Sequence, residues 1–75
     1  YHCYVLGGDK KLNGVISLKK LVLSPPDARI KEVMFKDVIK VNAYTDREEA
    51  ARIFKKYDLI ALPVIDNNKQ LLGIV

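Results

Sequence analysis

The chain has 75 residues, of which 49% are apolar and 29% are charged, a balance that excludes a disordered chain and allows one small domain at most. A single cysteine excludes an internal disulfide, and the apolar runs are far shorter than the roughly 20 residues of a membrane-spanning helix. The lysines and arginines behind the net charge of +4 are spread along the chain, so no basic stripe predicts nucleic-acid binding.

The first part of the chain is predicted to begin with a β-hairpin. Residues 1–6 are rich in β-branched and aromatic side chains, as in a strand, and residues 12–17 form a second such run. Between them, Gly7 and Gly8 are expected to supply the positive φ angles of the turn. Ser17 ends the second run and is a candidate N-cap for a helix.

Two short helices are predicted to follow the hairpin. Leu18, Leu21 and Val22 lie at i, i+3 and i+4, the spacing of one helical face. Pro25 is expected to end this helix, and Asp27 is a candidate cap for the next one.

The second part is predicted to run strand, helix, strand, turn, strand. Residues 37–41 form the first strand, and the helix is expected to begin at Thr45, where Thr45 and Glu48 fit a capping box. Residues 59–65 are apolar throughout, which predicts an inner strand covered on both faces, and residues 70–75 form the last strand. The intervening helix implies that the first two strands are parallel, and the short turn implies an antiparallel final pair.

The sequence also contains an internal repeat. When Gly14 is aligned with Gly73, an offset of 59 residues, Lys10 meets Lys69 and the turn sequences Gly-Gly-Asp and Asp-Asn-Asn coincide. Two hairpins with the same spacing and apolar pattern predict two copies of one structural unit.

The motifs "YVL…LNGVISLKKL" and "LPVID…LLGIV" resemble the two halves of a CBS-domain pair. A CBS domain is built as β–α–β–β–α, so the resemblance implies an α/β (α+β) fold with a parallel β–α–β crossover, antiparallel hairpins and helices packed on a small sheet. Residues 1–34 would be the C-terminal part of the first CBS motif and residues 35–75 the N-terminal part of the second, together one compact module truncated at both ends.

The segment "TDREEAARIFKKYDLIALPVID" is most similar to the cytosolic CBS region of MgtE-type magnesium transporters. This resemblance implies a regulatory module without enzymatic activity, on the cytoplasmic side of a bacterial inner-membrane protein, that takes part in Mg²⁺-dependent gating. Its partners would be an acidic N-terminal domain and a transmembrane domain of the same transporter. A homodimer is expected separately, because each half lacks a helix that would cover its sheet and a second copy is predicted to bury that apolar surface. The alternative is an adenine-nucleotide-sensing CBS module of another host protein.

The resemblance implies metal ligands at Asp46 and Asp58, with a backbone carbonyl from Lys55. Twelve residues of helix rise about 18 Å, so the two carboxylates cannot share one Mg²⁺ ion, and each site would be completed by another domain or protomer. The alternative is that Asp46 only complements the helix dipole and that Asp58 only ends the helix.

The resemblance also implies a nucleotide site at Gly14 and Ser17, which match a Gly-x-x-Ser/Thr-x-x-Asp motif for ribose and phosphate. Lys20 stands at the aspartate position, and a lysine cannot accept a hydrogen bond from a ribose hydroxyl. It could contact a phosphate instead. The alternative for Ser17 is a purely structural N-cap.

The sequence offers little for an active site. His2 and Cys3 are adjacent on a predicted strand, where neighbouring side chains point to opposite faces, so they are not expected to form a nucleophilic pair or a metal chelate.

Overall fold

Five strands and three helices make up the computed structural model, which describes residues 1–75. In chain order they are β1 (His2–Leu6), β2 (Leu12–Ser17), α1 (Leu18–Leu23), α2 (Ile30–Val33), β3 (Val41–Asn42), α3 (Arg47–Tyr57), β4 (Pro63–Ile65) and β5 (Leu71–Ile74). They fall into two units, Tyr1–Val38 and Ile39–Val75. The α+β fold class is confirmed, whereas the assignment of residues 1–34 and 35–75 to two CBS motifs stays a prediction. None of the helices combines the length and the hydropathy required to cross a bilayer.

The predicted hairpin of the first unit is confirmed. Strands β1 and β2 pair antiparallel, with Val5 opposite Gly14 and a bulge between Val5 and Leu6. Ser17 caps α1 as predicted, because the backbone N–H of Lys20 donates a hydrogen bond to Ser17 Oγ at 3.1 Å. Local sequence signals therefore determine both the end of β2 and the start of α1.

A third backbone segment pairs with β2 in the first unit. Val15 and Phe35 exchange two backbone hydrogen bonds, of 2.9 and 2.7 Å, in an antiparallel bridge. Since Val15 directs its N–H and C=O toward Phe35, this bridge lies on the edge of β2 opposite β1. Ile16 and Val38 are the buried apolar residues of this unit.

The second unit is a three-stranded sheet in the order β3-β4-β5. Strand β3 is parallel to β4, with Val41 opposite Val64, and helix α3 provides the predicted crossover between them. Strand β5 pairs antiparallel with β4, with Gly73 opposite Val64. The buried apolar residues here are Val41, Leu62, Pro63 and Ile65.

The internal repeat is visible in the backbone. Lys10 and Lys69 both have left-handed φ angles, of 66° and 65°. Their N–H groups bond to equivalent carbonyls, Lys10 to Gly7 at 3.0 Å and Lys69 to Asp66 at 3.1 Å. The expectation that Gly7 and Gly8 supply the positive φ angles is wrong, since no glycine has one. In both hairpins the left-handed residue is the lysine two positions before the second strand.

Two predicted strands are shorter than expected. Residues 37–41 form a strand only at Val41–Asn42, because the parallel partner β4 offers just three residues for pairing. Of residues 59–65, only Pro63–Ile65 are a strand. The N–H of Leu59 donates to Phe54 at the end of α3, so this residue belongs to the helix exit, and Ile60 is 98% exposed.

The predicted caps of two helices are also corrected. Thr45 forms no capping box with Glu48, because its Oγ1 instead accepts the N–H of Asn42 at 3.2 Å in the turn after β3, and Asp46 is the N-cap of α3. Likewise, Asp27 does not cap α2. Its N-cap is Arg29, whose N–H donates to the carboxylate of Glu32 at 2.9 Å; these hydrogen bonds select caps that residue type alone does not distinguish.

The left-handed turn residue gives a test of the hairpin geometry. A left-handed conformation costs a residue with a Cβ about 1–2 kcal/mol, more than the roughly 0.5–1 kcal/mol of extra unfolded-state entropy that glycine brings. We expect Lys69→Gly to raise the free energy of unfolding by about 0.5–1 kcal/mol in urea titrations. The matched control Lys69→Ala keeps the Cβ and removes the same charge, so it should gain nothing; a glycine variant less stable than the alanine variant would contradict this account.

Candidate functional site

A groove of about 480 Å³ lies beside β2 in the first unit. Its polar lining consists of His2, Ser17 and Lys20. Its apolar lining consists of Val15, Ile16, Val33, Met34 and Phe35. No aspartate or glutamate is among the lining residues, so the groove combines an apolar wall with donors and one cation.

Hairpin register and one long-range bridge position these side chains. His2 lies opposite Ser17 in the β1–β2 pair, and Lys20 is in the first turn of α1, which Ser17 caps. The Val15–Phe35 bridge then brings the segment after α2 alongside β2. The groove is thus formed by residues from the start, the middle and the end of the first unit.

Gly14 has a packing role in this arrangement. A Cβ at this position would lie 2.6 Å from Met34 Sδ and 3.0 Å from the carbonyl oxygen of Phe35. Gly14 is buried and does not line the groove. Of the two predicted nucleotide residues, the structure therefore places Ser17 in the groove, together with Lys20 at the departing motif position, and Gly14 beneath the segment that forms the apolar wall.

Ser17 is the N-cap of α1, the structural role given above as the alternative to nucleotide binding. The capping hydrogen bond still leaves the hydroxyl proton available for donation. Its Oγ accepts from the N–H of Lys20, and a hydroxyl that accepts one bond still carries a proton to donate. The cap therefore fixes the oxygen at the groove without using its donor capacity.

The predicted metal residues lie at the two ends of α3. Asp46 is the N-cap, and its side chain makes no capping hydrogen bond. Asp58 is the C-cap, in the left-handed conformation at φ 51°, and its N–H donates to the carbonyl of Lys55 at 3.4 Å. Both aspartates are exposed. The structure thus brings Asp58 and Lys55 together in one turn and leaves Asp46 at the far end of the helix.

Neither end of α3 is a complete metal site within this chain. No group of three or more histidine, cysteine, aspartate or glutamate side chains is positioned to hold a metal ion. The ends of an eleven-residue helix are also too far apart to share one ion. Lys55 and Lys56 add positive charge to the last turn, and Lys56 Nζ lies 5.2 Å from the ring centroid of Tyr57.

The groups with shifted pKa values lie outside both sets of residues. Arg52 donates two hydrogen bonds to Glu49 on α3, at 3.0 and 2.5 Å, which lowers the pKa of Glu49 and raises that of Arg52. Burial raises the pKa of Tyr4 on β1. Arg52 therefore pairs with Glu49 and not with Asp46 or Asp58 at the ends of the helix.

Sequence reasoning missed the residues that form much of the groove. Met34 and Phe35 reach it through a bridge to Val15, twenty residues away, and no short motif encodes that pairing. His2 could have been found, because the predicted hairpin already places it opposite Ser17 once the bulge is allowed for.

Comparison with known proteins places this chain in a family. The model of the CBS domain matches residues 30–75, more than half of the chain. The chain belongs to the CBS-domain family. Within the CBS family, it is 40% identical over 74 residues to the magnesium transporter MgtE of Bacillus subtilis, a match that covers 99% of this chain and 16% of the transporter.

Two solved structures match the whole chain. The soluble part of a magnesium transporter superposes with a TM-score of 0.92 at 39% identity, over 29% of that chain. The cytosolic domain of the Mg²⁺ channel MgtE in complex with ATP superposes with a TM-score of 0.91 at 41% identity, over 30% of that chain. The predicted resemblance to the MgtE-type CBS region is confirmed. The chain spans 16 to 17% of the length of the curated transporters that it matches.

The two equivalent glycines test the packing role of Gly14. A Cβ at Gly14 collides with Met34 and Phe35, whereas no atom lies within 4 Å of a Cβ built at Gly73. We expect Gly14→Ala to lower the free energy of unfolding by about 1–3 kcal/mol through overpacking. Gly73→Ala should leave it unchanged or raise it by up to about 1 kcal/mol, measured by urea unfolding. Equal losses in both variants would show that the contact with residues 34–35 is not the cause.

Proposed function

We propose that this chain is a regulatory CBS module of a magnesium transporter and that Mg²⁺ bound at its surface controls the pore. The observation that carries the proposal is the 40% identity to a magnesium transporter over nearly the whole chain. The superposition on the soluble part of a magnesium transporter supports it. In this role the chain is a sensor and not a catalyst.

The exposed carboxylates of α3 are the proposed sensing groups. Mg²⁺ often takes only one or two carboxylates and keeps several waters. Asp58 with the neighbouring carbonyl of Lys55 fits such a partial site at one end of α3, and Asp46 offers a carboxylate at the other. Each would be completed by acidic groups of another domain or protomer.

The proposed control is electrostatic. Facing carboxylates on neighbouring domains repel one another when no cation lies between them, and neutralisation by Mg²⁺ lets the domains approach. We propose that this approach favours the closed pore and that low Mg²⁺ releases it. A coupling free energy of about 1–3 kcal/mol, typical of allosteric proteins, is sufficient for this regulation.

We also propose that the chain acts within a homodimer, on the cytoplasmic side of a bacterial inner membrane, together with an acidic N-terminal domain and a transmembrane domain. Helix α1 supports an interface because its apolar side chains are uncovered: Val22 is 70% exposed and Leu23 is 71% exposed. Exposed apolar surface of this kind is typical of a contact with another chain or domain. In this arrangement residues 1–34 and 35–75 contribute parts of two CBS motifs.

A second candidate function is adenine-nucleotide sensing, either in the same transporter or in another host. The groove beside β2 supports it, because it joins an apolar wall to Ser17 and Lys20. A similar cytosolic domain was solved in complex with ATP. The two functions use different residues and can be tested separately.

The magnesium proposal is tested with the full-length transporter in proteoliposomes, by measuring how the Mg²⁺ concentration on the regulatory side inhibits flux. We expect Asp58→Asn, Asp46→Asn and the double variant each to raise the half-inhibitory concentration, by at least fivefold, because each variant removes a carboxylate ligand. The matched control is Asp27→Asn, which neutralises an exposed aspartate of the first unit that belongs to neither helix end.

Unchanged inhibition in the Asp46 and Asp58 variants would overturn the assignment of these ligands. A transporter that responds to ATP without Mg²⁺, and not to Mg²⁺ alone, would overturn Mg²⁺ sensing and favour the second candidate function.

A further inference from the structure

We infer that the groove beside β2 recognises the phosphates of an adenine nucleotide through Lys20 and does not recognise the ribose. This inference rests on the nucleotide-sensing function proposed above and specifies its ligand class. The juxtaposition that carries it is an ammonium, a hydroxyl and an imidazole in the lining of one groove with an apolar wall, and with no carboxylate among the lining residues.

The polar lining is rich in donors and poor in acceptors. The ammonium of Lys20 has three N–H donors and no acceptor. The oxygen of Ser17 already accepts the N–H of Lys20 at 3.1 Å, so its remaining proton favours a donor role toward a ligand. The imidazole of His2 adds at least one N–H donor.

Ribose and phosphate make opposite demands on such a lining. A vicinal diol carries two hydroxyl protons and is bound best by a carboxylate, which accepts both. A phosphate oxygen needs donors and is stabilised further by a cation. Because donors prevail here and the one fixed charge is positive, the groove matches the phosphate.

The apolar side of the groove fits a flat base. Phe35 is 60% exposed, and two hydrogen bonds to Val15 hold its backbone in place. Its ring is therefore accessible to a ligand at a defined position. Met34 and Val33 continue the same wall. Aromatic side chains and methionine sulfur both make favourable contacts with aromatic rings, so an adenine lying against this wall would leave its phosphates toward Lys20.

The size and exposure of the groove limit the affinity and predict its dependence on salt. About 480 Å³ lies within the range of small-molecule sites, which is about 300–1,000 Å³. Lys20 is exposed, so its attraction to a phosphate is screened over a Debye length of about 8 Å at physiological salt. Affinity should therefore rise with the number of phosphates and fall as salt increases.

The test is calorimetric titration of the full-length protein with ATP, AMP, adenosine and tripolyphosphate, at fixed ionic strength and with EDTA to remove Mg²⁺. We expect ATP to bind at least tenfold more tightly than adenosine. Lys20→Gln should weaken ATP about tenfold and leave adenosine nearly unchanged. Lys20→Asp should reverse the preference, because the new carboxylate repels phosphates and accepts ribose hydroxyls.

Lys31→Gln is the matched control, because it removes the same charge from an exposed lysine of the same unit that does not line this groove. It should change ATP affinity less than twofold. Phe35→Ala should weaken ATP and leave tripolyphosphate unaffected, which separates the base contact from the phosphate contact.

Each alternative outcome has a distinct meaning. Adenosine binding as tightly as ATP, or ATP affinity unchanged in Lys20→Gln, overturns phosphate recognition and leaves nucleotide sensing standing. Tripolyphosphate binding as tightly as ATP overturns the role of the apolar wall. Absence of binding by all four ligands overturns both nucleotide sensing and this inference, while the flux experiment on Asp46 and Asp58 still decides magnesium sensing.

Discussion

The exchange of two backbone hydrogen bonds between Val15 and Phe35 is the constraint on which the groove depends. Two such bonds contribute a net stability of only about 1–3 kcal/mol, whereas ordering each residue of a segment costs about 1–2 kcal/mol. The bridge alone therefore cannot hold residues 33–38. Burial of Val38 and the contact of Met34 with Gly14 must supply the difference, so the groove and the core of the first unit are stabilised together.

The same hairpin serves two different purposes in the two units. Both copies have the bulge, the left-handed lysine and the glycine opposite a valine, so the backbone geometry follows from the repeated sequence. Their surroundings differ. Gly14 has Met34 and Phe35 against it, whereas the space above Gly73 is open in this chain. Gly14 and Gly73 thus occupy the same place in the hairpin but differ in packing. The internal repeat predicts the shared place and does not predict the packing.

The fold follows from the sequence wherever a local pattern has no competitor. Strand β2 and the cap at Ser17 lie as predicted, because hydrophobic alternation and a serine before an apolar helix face act within a few residues. Thr45 departs from the predicted capping box because its hydroxyl accepts the backbone N–H of Asn42. The left-handed residue is Lys10 and not a glycine, because the turn closes with the N–H of Lys10 bonded to the carbonyl of Gly7 and places the positive φ angle at its last residue.

The candidate site residues also differ in whether a local sequence pattern specifies them. Ser17, Asp46 and Asp58 match short motifs, and Lys20 stands at a motif position with a different residue type; the structure places each at an exposed or groove-lining position. Met34 and Phe35 depend on a pairing across twenty residues, which no local pattern specifies. The sequence therefore pointed to Ser17 and Lys20 in the polar lining, but not to His2 or to the part of the apolar wall formed by Met34 and Phe35.

The two proposed ligands would act on different units of the chain, since the groove belongs to Tyr1–Val38 and the ends of α3 belong to Ile39–Val75. Because coupling free energies are reciprocal, a nucleotide that tightens Mg²⁺ binding must itself be bound more tightly when Mg²⁺ is present. Equal affinity of the nucleotide for the open and closed states would leave the pore unaffected, however tightly it bound. The phosphate preference of Lys20 therefore determines which nucleotide occupies the groove, and regulation additionally requires that the groove differ between the two states.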